Sequence, residues 1–598
     1  MSKFPLGYKK TGVIDLEELN KQYLEKNPQD EGKYNPFNIK SLQNYNPLYN
    51  EIFELSPTNF NSISLNHNYH FLNLEKVTDS QTNDNLPRES FLKFSPLLDP
   101  VRYLIGKYQK NEEFSITELP TVNKPVHPKL QTINNASYVD NFFCYLSSQL
   151  LNTQGFINGI DYYGSFLGIQ EKYKMNIADD IEYLNQSDFF LKNRNSLYEM
   201  EEMEDPFSNF GSRCNKNKLD IHNSSEISQF SVEDLEGGAE VETVDVLPTE
   251  ELLYEKTESN NESSDDESNN SETNYTSDEE DGEDGSEDGS EEDGSEDGSK
   301  DGSQEDGQED GSEESEEDSE ESSEESEEDG EEDEEDEDSS SESDEPCIFA
   351  YIKNFPIQMI CLEKCKSTID SLFSNGEMDD KNAAAALFQI IMTLIAYQKA
   401  FHFTHNDLHT NNIVYVDTDI EFLYYKFNDN IYKVPTYGKI FKIIDFGRAI
   451  YKLNGKIYCS DSFDAGGDAS TQYNCEPFFN ENKPRLDPNY SFDLCRLGCS
   501  IYDFILDEQI DENEELDDLQ RTIIRWCSDD NGKNVLYKKN GDERYPNFKL
   551  YKMIARTVNK HTPDAQLQDP YFSQFLTKKS KDLNSKNFMN IDELPNYS

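Results

Sequence analysis

A long acidic segment limits how much of this chain can enter a folded core. Residues 251–350 contain 49 Asp and Glu residues and two Lys residues, so they hold −47 of the chain's formal charge of −69. From about residue 255 to 345 the segment is a degenerate repeat of Glu, Asp, Gly and Ser. Ordering such a repeat would cost conformational entropy without burying apolar surface. We expect it to be disordered.

The acidic segment has three possible uses, and the sequence leaves them open. The first is a solvated linker that keeps the protein soluble. The second is an array of phosphoacceptor serines, because acidic residues follow the serines in stretches such as 286-SEDG-289 and 315-SEED-318. The third is an electrostatic decoy for basic proteins. A polyanion repels phosphate backbones, so we expect no direct binding of DNA or RNA by this segment.

The rest of the chain carries a charge of only −22 and is rich in Phe, Tyr, Ile and Leu, so it can bury a core. The N-terminus shows no secretory signal pattern. The most apolar stretch, 387-LFQIIMTLIAY-397, is too short to span a bilayer. Ten cysteines are scattered without the spacing of a disulfide scaffold or a zinc site, which favours free thiols. We expect an intracellular protein without a membrane partner.

Hydrophobic periodicity predicts elements on both sides of the acidic segment. Residues 90–95 and 357–365 are strand candidates, and 138–151 has the apolar spacing of one helix face. Residues 160–169 predict two short strands around a glycine turn. Asp379 and Asp380 are good helix-start residues ahead of a long apolar stripe that ends near residue 401.

Two polar motifs follow that long helix. The stretch 404-THNDLHTNNIVY-415 places His405, Asp407 and Asn412 between apolar segments, and 439-KIFKIIDFGRAI-450 delivers Asp445 at the end of a strand, followed by Phe and Gly. Phosphoryl transfer needs a carboxylate that orients the acceptor, oxygen ligands for a metal and a cation for the phosphates. An Asx-rich turn would explain the first motif alone. It would not explain the second.

The two motifs resemble the catalytic loop and the metal-binding Asp-Phe-Gly segment of the protein kinase superfamily. The resemblance continues in 491-SFDLCRLGCSIYDFI-505, which is similar to the family's loop-anchoring helix with Asp493 in the anchoring place, and in the closing segment 561-HTPDAQLQDPYF-572. Upstream, 91-FLK-93 resembles the strand that carries the phosphate-pairing lysine. Taken together, the chain resembles the serine/threonine-protein kinases of giant amoebal DNA viruses of the mimivirus type. The resemblance covers about residues 85–175 and 347–575.

This resemblance implies an α+β, bilobal protein-kinase-like fold with a long disordered acidic insertion in the small lobe. The implied divisions are an N-terminal segment, 1–84, with the first strands of the small lobe; the first part of the small lobe, 85–175; the insertion, 176–346; and the last small-lobe strand, the hinge and the helical large lobe, 347–598. The hinge is expected near 361-CLEKC-365, where backbone groups can pair with adenine.

The same resemblance implies roles for five residues, with ATP and Mg²⁺ as cofactors and a protein as substrate. Asp407 would orient the acceptor hydroxyl and take its proton. Lys93 would pair with the α- and β-phosphates and Asp140 would pair with Lys93, while Asn412 and Asp445 would hold Mg²⁺. His405 is expected to be structural. Simple alternatives are a strand-edge lysine for Lys93 and a helix-start residue for Asp140.

Four departures from the family pattern qualify these roles. No G-x-G-x-x-G precedes Lys93, and the β-like 61-NSISLNHNYHFLNL-74 is the candidate cover for the phosphates. Asn406 replaces an arginine that usually receives a regulatory phosphate. His409 replaces the lysine two residues after the catalytic Asp, which weakens the choice between acceptors. Asp140 is one methylene shorter than the usual Glu.

Two other functions therefore stay open. HNDLHTNN also resembles the loop of aminoglycoside, choline and ABC1-type kinases, although such small-molecule kinases lack an evident closing segment like 561–572. The third function is a pseudokinase scaffold with an acidic interaction arm. The expected location is the cytoplasm of a host cell. Packaging in a virus particle and the oligomeric state are left open.

The first prediction concerns the acidic segment. Deleting residues 255–345 should leave cooperative unfolding and nucleotide binding intact, because the segment contributes no core-forming residues and the cost of closing a loop changes slowly with its length. Circular dichroism melts and Mg-ATP titrations of the full chain and of the deletion variant would check this. Loss of the cooperative transition in the variant would contradict the prediction.

Overall fold

The computed structural model describes residue 4 and residues 6–10, 14–108, 114–200, 348–506, 515–578 and 587–598. Nearly all of the predicted insertion, including the repeat at 255–345, lies outside the described residues. The described part mixes helices and sheets, so the predicted α+β class is confirmed.

The strands are short except for two of fifteen residues. In chain order they are β1 (Tyr8–Lys10), β2 (Ile39–Gln43), β3 (Ile63–Leu65), β4 (Tyr69–Asn73), β5 (Lys76–Asp79), β6 (Asn85–Pro87), β7 (Ser90–Pro96), β8 (Tyr162–Asn176), β9 (Tyr198–Met200), β10 (Phe349–Glu363), β11 (Ser367–Thr368), β12 (Ile413–Asp417), β13 (Phe422–Phe427), β14 (Asn430–Pro435), β15 (Lys439–Ile443), β16 (Ile450–Leu453), β17 (Lys456–Cys459), β18 (Leu576–Thr577) and β19 (Phe588–Asn590).

Three helices exceed twelve residues, and the others are shorter. In chain order they are α1 (Leu16–Lys26), α2 (Tyr49–Ile52), α3 (Pro100–Leu104), α4 (Pro128–Gln131), α5 (Ala136–Gln154), α6 (Ile181–Asn185), α7 (Asp188–Asn193), α8 (Ile369–Ser374), α9 (Asp380–Phe401), α10 (Phe492–Ile505), α11 (Asp518–Trp526), α12 (Lys549–Thr557), α13 (Pro563–Gln566) and α14 (Pro570–Ser573). The predicted strand at 90–95 and the predicted helices at 138–151 and from Asp380 are confirmed as β7, α5 and α9.

The largest sheet is antiparallel and has the strand order β2-β8-β10-β7, with β9 on β10. Strand β10 pairs with β8 on one side and with β7 on the other, and Lys93 of β7 lies opposite Ile360. A hairpin of β4 and β5 lies between β2 and β7 in the chain, and β6 joins the hairpin to form a separate three-stranded sheet. The β-like character predicted for 61–74 therefore resolves into β3 and β4.

Two clusters of buried apolar side chains form the core. The smaller cluster lies around the large sheet and includes Ile39, Leu167 and Met359. The larger cluster surrounds α9 and takes in α10, α11 and α12. Helix α5 contributes to both, because Tyr138 belongs to the first cluster and Phe142 to the second. The helix therefore packs between the sheet and the helical part.

Helix α9 is the central element of the larger core. Its N-cap, Asp379, accepts a hydrogen bond from the backbone N–H of Asn382 at 2.7 Å, and the helix ends where His402 adopts a left-handed φ of 49°. At 22 residues it is longer than its most apolar stretch and meets the length and composition of a membrane span, yet nearly all of it is buried inside the protein. It is a core helix, and it delivers the chain to residue 404.

The prediction of two short strands at 160–169 is wrong. One continuous strand, β8, runs through the region, because Gly164 and Gly168 both stay in register with β10, opposite Cys361 and Ile357. Gly164 has a φ of 127°, and a Cβ on Gly168 would lie 2.3 Å from a methyl carbon of Ile39. Gly168 allows the close approach of β2, and neither glycine forms a turn.

The predicted start of the insertion at residue 176 is also too early. After β8 the chain continues into α6, α7 and β9, and β9 pairs with β10 through Tyr198 and Ile352. Phe190 stacks on Tyr198 with ring centroids 4.6 Å apart, and the Tyr198 hydroxyl donates to the Phe190 carbonyl at 2.9 Å. The sequence did not predict these elements, because their few apolar residues lie in a polar stretch without a regular period. The strand that they pack against, β10, is distant in the sequence.

The C-terminal closing segment forms two single turns, α13 and α14. Phe572 stacks on Trp526 of α11 with ring centroids 6.0 Å apart, and the Tyr571 hydroxyl donates to the carbonyl of Asp380 at 3.0 Å. The segment therefore packs on α9 and α11. Cysteines in the described part of the chain are free thiols, as predicted, while Cys214 and Cys347 lie outside the described residues.

The second prediction tests whether residues 177–200 belong to the fold. Phe190 is 1% exposed and its neighbour Leu191 is 55% exposed. Phe190→Ala should lower the free energy of unfolding by about 3–5 kcal/mol, because it removes a buried ring and leaves a cavity. Leu191→Ala should change it by about 0.5 kcal/mol or less. Urea titrations would measure both, and equal small effects would place these residues in the disordered insertion after all.

Candidate active site

The loop after α9 is attached to α10 by one buried carboxylate. Asp493 accepts hydrogen bonds from the backbone N–H groups of His405 at 2.9 Å and Asn406 at 2.8 Å. Asn406 has a φ of 65°, a left-handed conformation that asparagine tolerates better than most residues. Burial raises the pKa of Asp493, although these two N–H groups act to lower it. The anchoring position predicted for Asp493 is confirmed by these contacts.

His405 has a fixed tautomer. The backbone N–H of Asp407 can only donate, so the His405 Nδ1 at 3.3 Å accepts. The Nε2 atom therefore carries the hydrogen and donates to the carbonyl of Ile444 at 2.9 Å. The ring is buried and both nitrogens are used, which leaves no nitrogen for proton transfer. This agrees with the structural role expected for His405.

Asn406 is buried and bonded at both ends of its amide. Its Nδ2 donates to the carbonyl of Arg448 at 3.0 Å, and its Oδ1 accepts from the Tyr473 hydroxyl at 2.9 Å. This neutral side chain links the loop to the segment after Asp445 by hydrogen bonds. It cannot attract a phosphate as an arginine would.

Asp407 is surrounded by cations and one phenol. Its Oδ1 accepts from the Tyr551 hydroxyl at 2.5 Å, and its Oδ2 lies 3.9 Å from the Nε of Arg448. Burial alone would raise the pKa of the carboxyl group. Arg448, His409, Arg496 and the Tyr551 hydrogen bond outweigh it and hold the pKa of Asp407 well below its usual range. The group is ionised at neutral pH.

Lys93 lies between two carboxylates. Its Nζ is 2.7 Å from Oδ2 of Asp140 and 2.7 Å from Oδ1 of Asp445. Asp140 also accepts the backbone N–H of Phe446 at 2.8 Å, so the shorter side chain still reaches its partners. Burial by itself would lower the pKa of Lys93. Asp140 and Asp445 outweigh that effect and raise the pKa, so Lys93 is charged.

Asn412 and Asp445 lie at the ends of paired strands. The carbonyl of Asn412 accepts the N–H of Ile444 at 3.0 Å, next to the ladder in which Ile413 pairs with Ile443. The Asn412 side chain donates through Nδ2 to the carbonyl of Asp407 at 2.9 Å and to Nε2 of His409 at 3.1 Å. Both bonds use the nitrogen, so its Oδ1 is the atom that can serve a metal.

Asp445 and Asn412 offer the kind of oxygen atoms that bind Mg²⁺ when an ion takes few ligands from the protein. The Asp445 side chain is 45% exposed, and its pKa is lowered because Lys93 outweighs the effect of burial. Among the described residues no group of three or more His, Cys, Asp and Glu side chains forms a metal site. Mg²⁺ commonly takes one or two protein oxygens and completes its shell with water and phosphate. The Asp445 carboxylate and the Asn412 amide oxygen match that requirement.

Two backbone N–H groups of the segment predicted as the hinge already donate hydrogen bonds to other parts of the protein. The N–H of Glu363 donates to the carbonyl of Asp161 at 3.0 Å, and the N–H of Lys364 donates to the carbonyl of Glu89 at 3.2 Å. A base bound at 361–365 would have to pair with other backbone groups. Upstream, the Ser90 N–H donates to the carbonyl of Leu74 at 2.9 Å, which ties the β4–β5 turn to the first residue of the Lys93 strand.

Sequence reasoning missed three residues at this site: Arg448, Arg496 and Tyr551. Arg448 lies one residue after the Asp-Phe-Gly segment, and its Nη2 is 2.7 Å from Asp468, so its place next to a motif was a usable signal. Tyr551 gave no signal, because it comes from α12, 144 residues beyond Asp407. Arg496 comes from α10, and its Nε donates to the Tyr551 hydroxyl.

Comparison with known proteins finds one partial similarity. The chain is 27% identical over 139 residues to serine/threonine-protein kinase haspin of Mus musculus, a match that covers 21% of this chain and 17% of that protein. The chain therefore spans about a sixth of the relative's length. No family model matches this chain. This low, partial similarity hints at a kinase-like protein and carries no information about viral relatives.

The third prediction concerns the charge balance around Lys93. Lys93→Met should lower the free energy of unfolding by about 3 kcal/mol, because it leaves the buried Asp140 and the neighbouring Asp445 without their shared cation. Lys456→Met is the matched control, since its pair with Glu51 at 2.6 Å lies between two exposed side chains. It should cost less than about 1 kcal/mol. Denaturant titrations at neutral pH would compare the two, and equal costs would contradict the prediction.

Proposed function

We propose that this chain is a protein kinase that transfers the γ-phosphate of ATP to a serine or threonine hydroxyl of a protein substrate. The observation that carries the proposal is the position of Lys93, 2.7 Å from both Asp140 and Asp445. The three side chains come from β7, from α5 and from the segment after β15. Phosphoryl transfer from a nucleotide needs a cation for the phosphates and a carboxylate for the metal ion. Three separate elements bring one cation and two carboxylates together here.

The proposed architecture is the bilobal protein-kinase-like fold. The sheet cluster would be the core of the small lobe and the α9 cluster the core of the large lobe. Two features support this division: α5 packs between the two clusters, and the Asp407 loop follows the long helix of the larger one. In this proposal the acidic insertion leaves the small lobe after β9 and returns at β10.

Asp407 is proposed to orient the acceptor hydroxyl and to accept its proton as the new bond forms. The carboxylate is ionised, since its pKa lies well below the usual range, and such a group is a weak base. A weak base is sufficient when the transition state is loose and the hydroxyl loses its proton late. Positioning is then the larger part of its contribution.

Lys93 is proposed to pair with the α- and β-phosphates, with Asp140 fixing the direction of its side chain. Asp445 and Asn412 would contribute the two protein oxygens to Mg²⁺. The ion, when bound, neutralises charge on the phosphates. Asp140 holds both Lys93 and the N–H of Phe446, so it couples the phosphate cation to the metal-binding segment.

Two other functions are less well supported. A small-molecule phosphotransferase would share the loop, yet the closing segment packs on α9 and α11 as an integral part of the fold, which favours the protein kinase. A pseudokinase scaffold is suggested by the lack of a glycine-rich loop before Lys93. The intact pairs of Lys93 and the lowered pKa of Asp407 speak for a competent site.

The remaining expectations are proposals that rest on the sequence. They are a protein substrate and ATP as the partners, no direct contact with nucleic acid or membrane, and a location in the cytoplasm of a host cell. A kinship with the serine/threonine-protein kinases of giant amoebal DNA viruses belongs to the same group. Phosphorylation of the acidic segment would be consistent with its many serines.

The fourth prediction separates chemistry from nucleotide binding. Asp407→Asn keeps the shape of the side chain, so Mg-ATP affinity should survive while turnover falls by about 10²–10⁴-fold, the usual range for loss of a general base. Asp445→Asn removes a metal ligand, so it should also weaken the Mg²⁺ dependence of ATP binding. The measurements are Mg-ATP titrations and transfer of radiolabelled phosphate to generic basic and acidic protein substrates.

Asp429→Asn is the control, because that carboxylate is exposed in the β13–β14 turn. It should change neither quantity. A wild-type protein that binds Mg-ATP and transfers no phosphate would favour the pseudokinase. If the wild type transfers phosphate and Asp407→Asn does so equally fast, the catalytic role proposed for Asp407 is wrong.

A further inference from the structure

One face of α10 holds both ends of the catalytic loop. Asp493 and Ser500 are seven residues apart and lie on the same side of the helix. Asp493 accepts the N–H groups at the start of the loop, and the Oγ of Ser500 accepts the N–H of Thr410 at 3.1 Å. Arg496 lies between them on that face. The helix thus fixes the loop backbone at two points, with a guanidinium in the middle.

Arg496 is linked to the catalytic carboxylate through a phenol. Its Nε donates to the Tyr551 hydroxyl oxygen at 2.9 Å, and the hydroxyl lies 2.5 Å from Oδ1 of Asp407. A guanidinium has no acceptor and a carboxylate has no hydrogen, so the direction of both bonds is determined. Arg496 donates to the phenol, and the phenol donates to Asp407.

The phenol is held rigidly in this position. Tyr551 is 2% exposed, and its ring stacks on Phe548 with centroids 5.2 Å apart and an angle of 17° between the planes. The guanidinium carbons of Arg448 and Arg496 lie 5.6 Å and 5.3 Å from the ring centroid. A side chain packed in this way cannot swing freely, so the hydrogen bond to Asp407 is built into the core.

We propose that Tyr551, supported by Arg496, is a positioning residue for Asp407. The phenol occupies Oδ1 and leaves Oδ2 to the acceptor hydroxyl, because the nearest cation to Oδ2, Arg448, is 3.9 Å away and beyond hydrogen-bonding distance. This inference rests on the proposed phosphotransfer and adds to it the device that orients the carboxylate.

The pair Arg496–Tyr551 takes the place of the lysine that serine/threonine kinases carry two residues after the catalytic Asp. His409 stands at that position, and its Nε2 accepts from Asn412, so that ring nitrogen does not donate to Asp407. Arg496 of α10 supplies the positive charge in place of a lysine. It acts on Asp407 through the uncharged hydroxyl of Tyr551. The acceptor therefore meets a carboxylate held by a neutral donor.

Tyr551→Phe is the test, because it removes one oxygen and keeps the ring. Turnover at neutral pH should fall about tenfold, as for loss of one hydrogen bond to a charged group, while the KM for Mg-ATP stays unchanged. A fall in kcat with an unchanged KM for Mg-ATP distinguishes positioning of Asp407 from a general loss of structure. Tyr537→Phe is the matched control, since the Tyr537 hydroxyl donates to Oδ1 of Asp503 at 2.7 Å, away from the loop. It should change neither the turnover nor the KM.

Unchanged or faster turnover in Tyr551→Phe would overturn the proposal and show that the phenol only fills or blocks the site. If Tyr551→Phe fails to unfold cooperatively, Arg496→Lys is the second variant, because it keeps the charge and loses the planar Nε donor. It should show a smaller fall in turnover with the same KM for Mg-ATP. The proposal is overturned if its turnover equals that of the wild type.

A readout that needs no turnover separates this proposal from the phosphotransfer itself. The full chain labelled with ¹³C at the aspartate carboxyl carbons would be studied by NMR at one neutral pH, and the Asp407 signal assigned by its loss in Asp407→Asn. Loss of the phenol's hydrogen bond should shift this signal in Tyr551→Phe and leave it in place in Tyr537→Phe. An unmoved signal in Tyr551→Phe overturns the positioning role. A shifted signal in a protein that transfers no phosphate refutes only the proposed function.

Discussion

The arrangement of this site depends on one ammonium group shared by two carboxylates. Lys93 comes from the sheet, Asp140 from the helix between the two cores, and Asp445 from the end of a strand in the larger core. A buried charge is tolerated only when partners compensate for its lost hydration. The three elements must therefore meet at one point, and the N–H of Phe446 on Asp140 strengthens the same junction.

The loop that carries Asp407 is held in a different way, because side chains of one helix accept hydrogen bonds from its backbone N–H groups. Asp493 and Ser500 of α10 accept N–H groups from both ends of the loop, and Asn406 closes it against Arg448 and Tyr473. A loop with left-handed residues and buried donors would otherwise leave unpaired polar groups, which are costly in a core. Asp407 can therefore be positioned precisely without belonging to a helix or a strand.

Elements with a strong local period were predictable. The stripe of α9, the amphipathic α5 and the apolar β7 and β15 all showed their type in sequence, and Asp379 marked a helix start that the structure has. Predictions failed where the deciding contact was distant. The glycines of β8 looked like a turn until β10 paired across them, and residues 177–200 looked unstructured because their partners lie on β10.

Composition and short motifs are local properties, so the sequence by itself determined two things. The repeat at 255–345 lacks core-forming residues, and Asp407, Asn412 and Asp445 have the order and spacing of the kinase motifs that they resemble. Only the tertiary structure decided that Asp140 reaches Lys93 and that Tyr551 touches Asp407. These contacts join residues 47 and 144 positions apart. No local pattern encodes such pairs, since helix packing and sheet register set the distances between them.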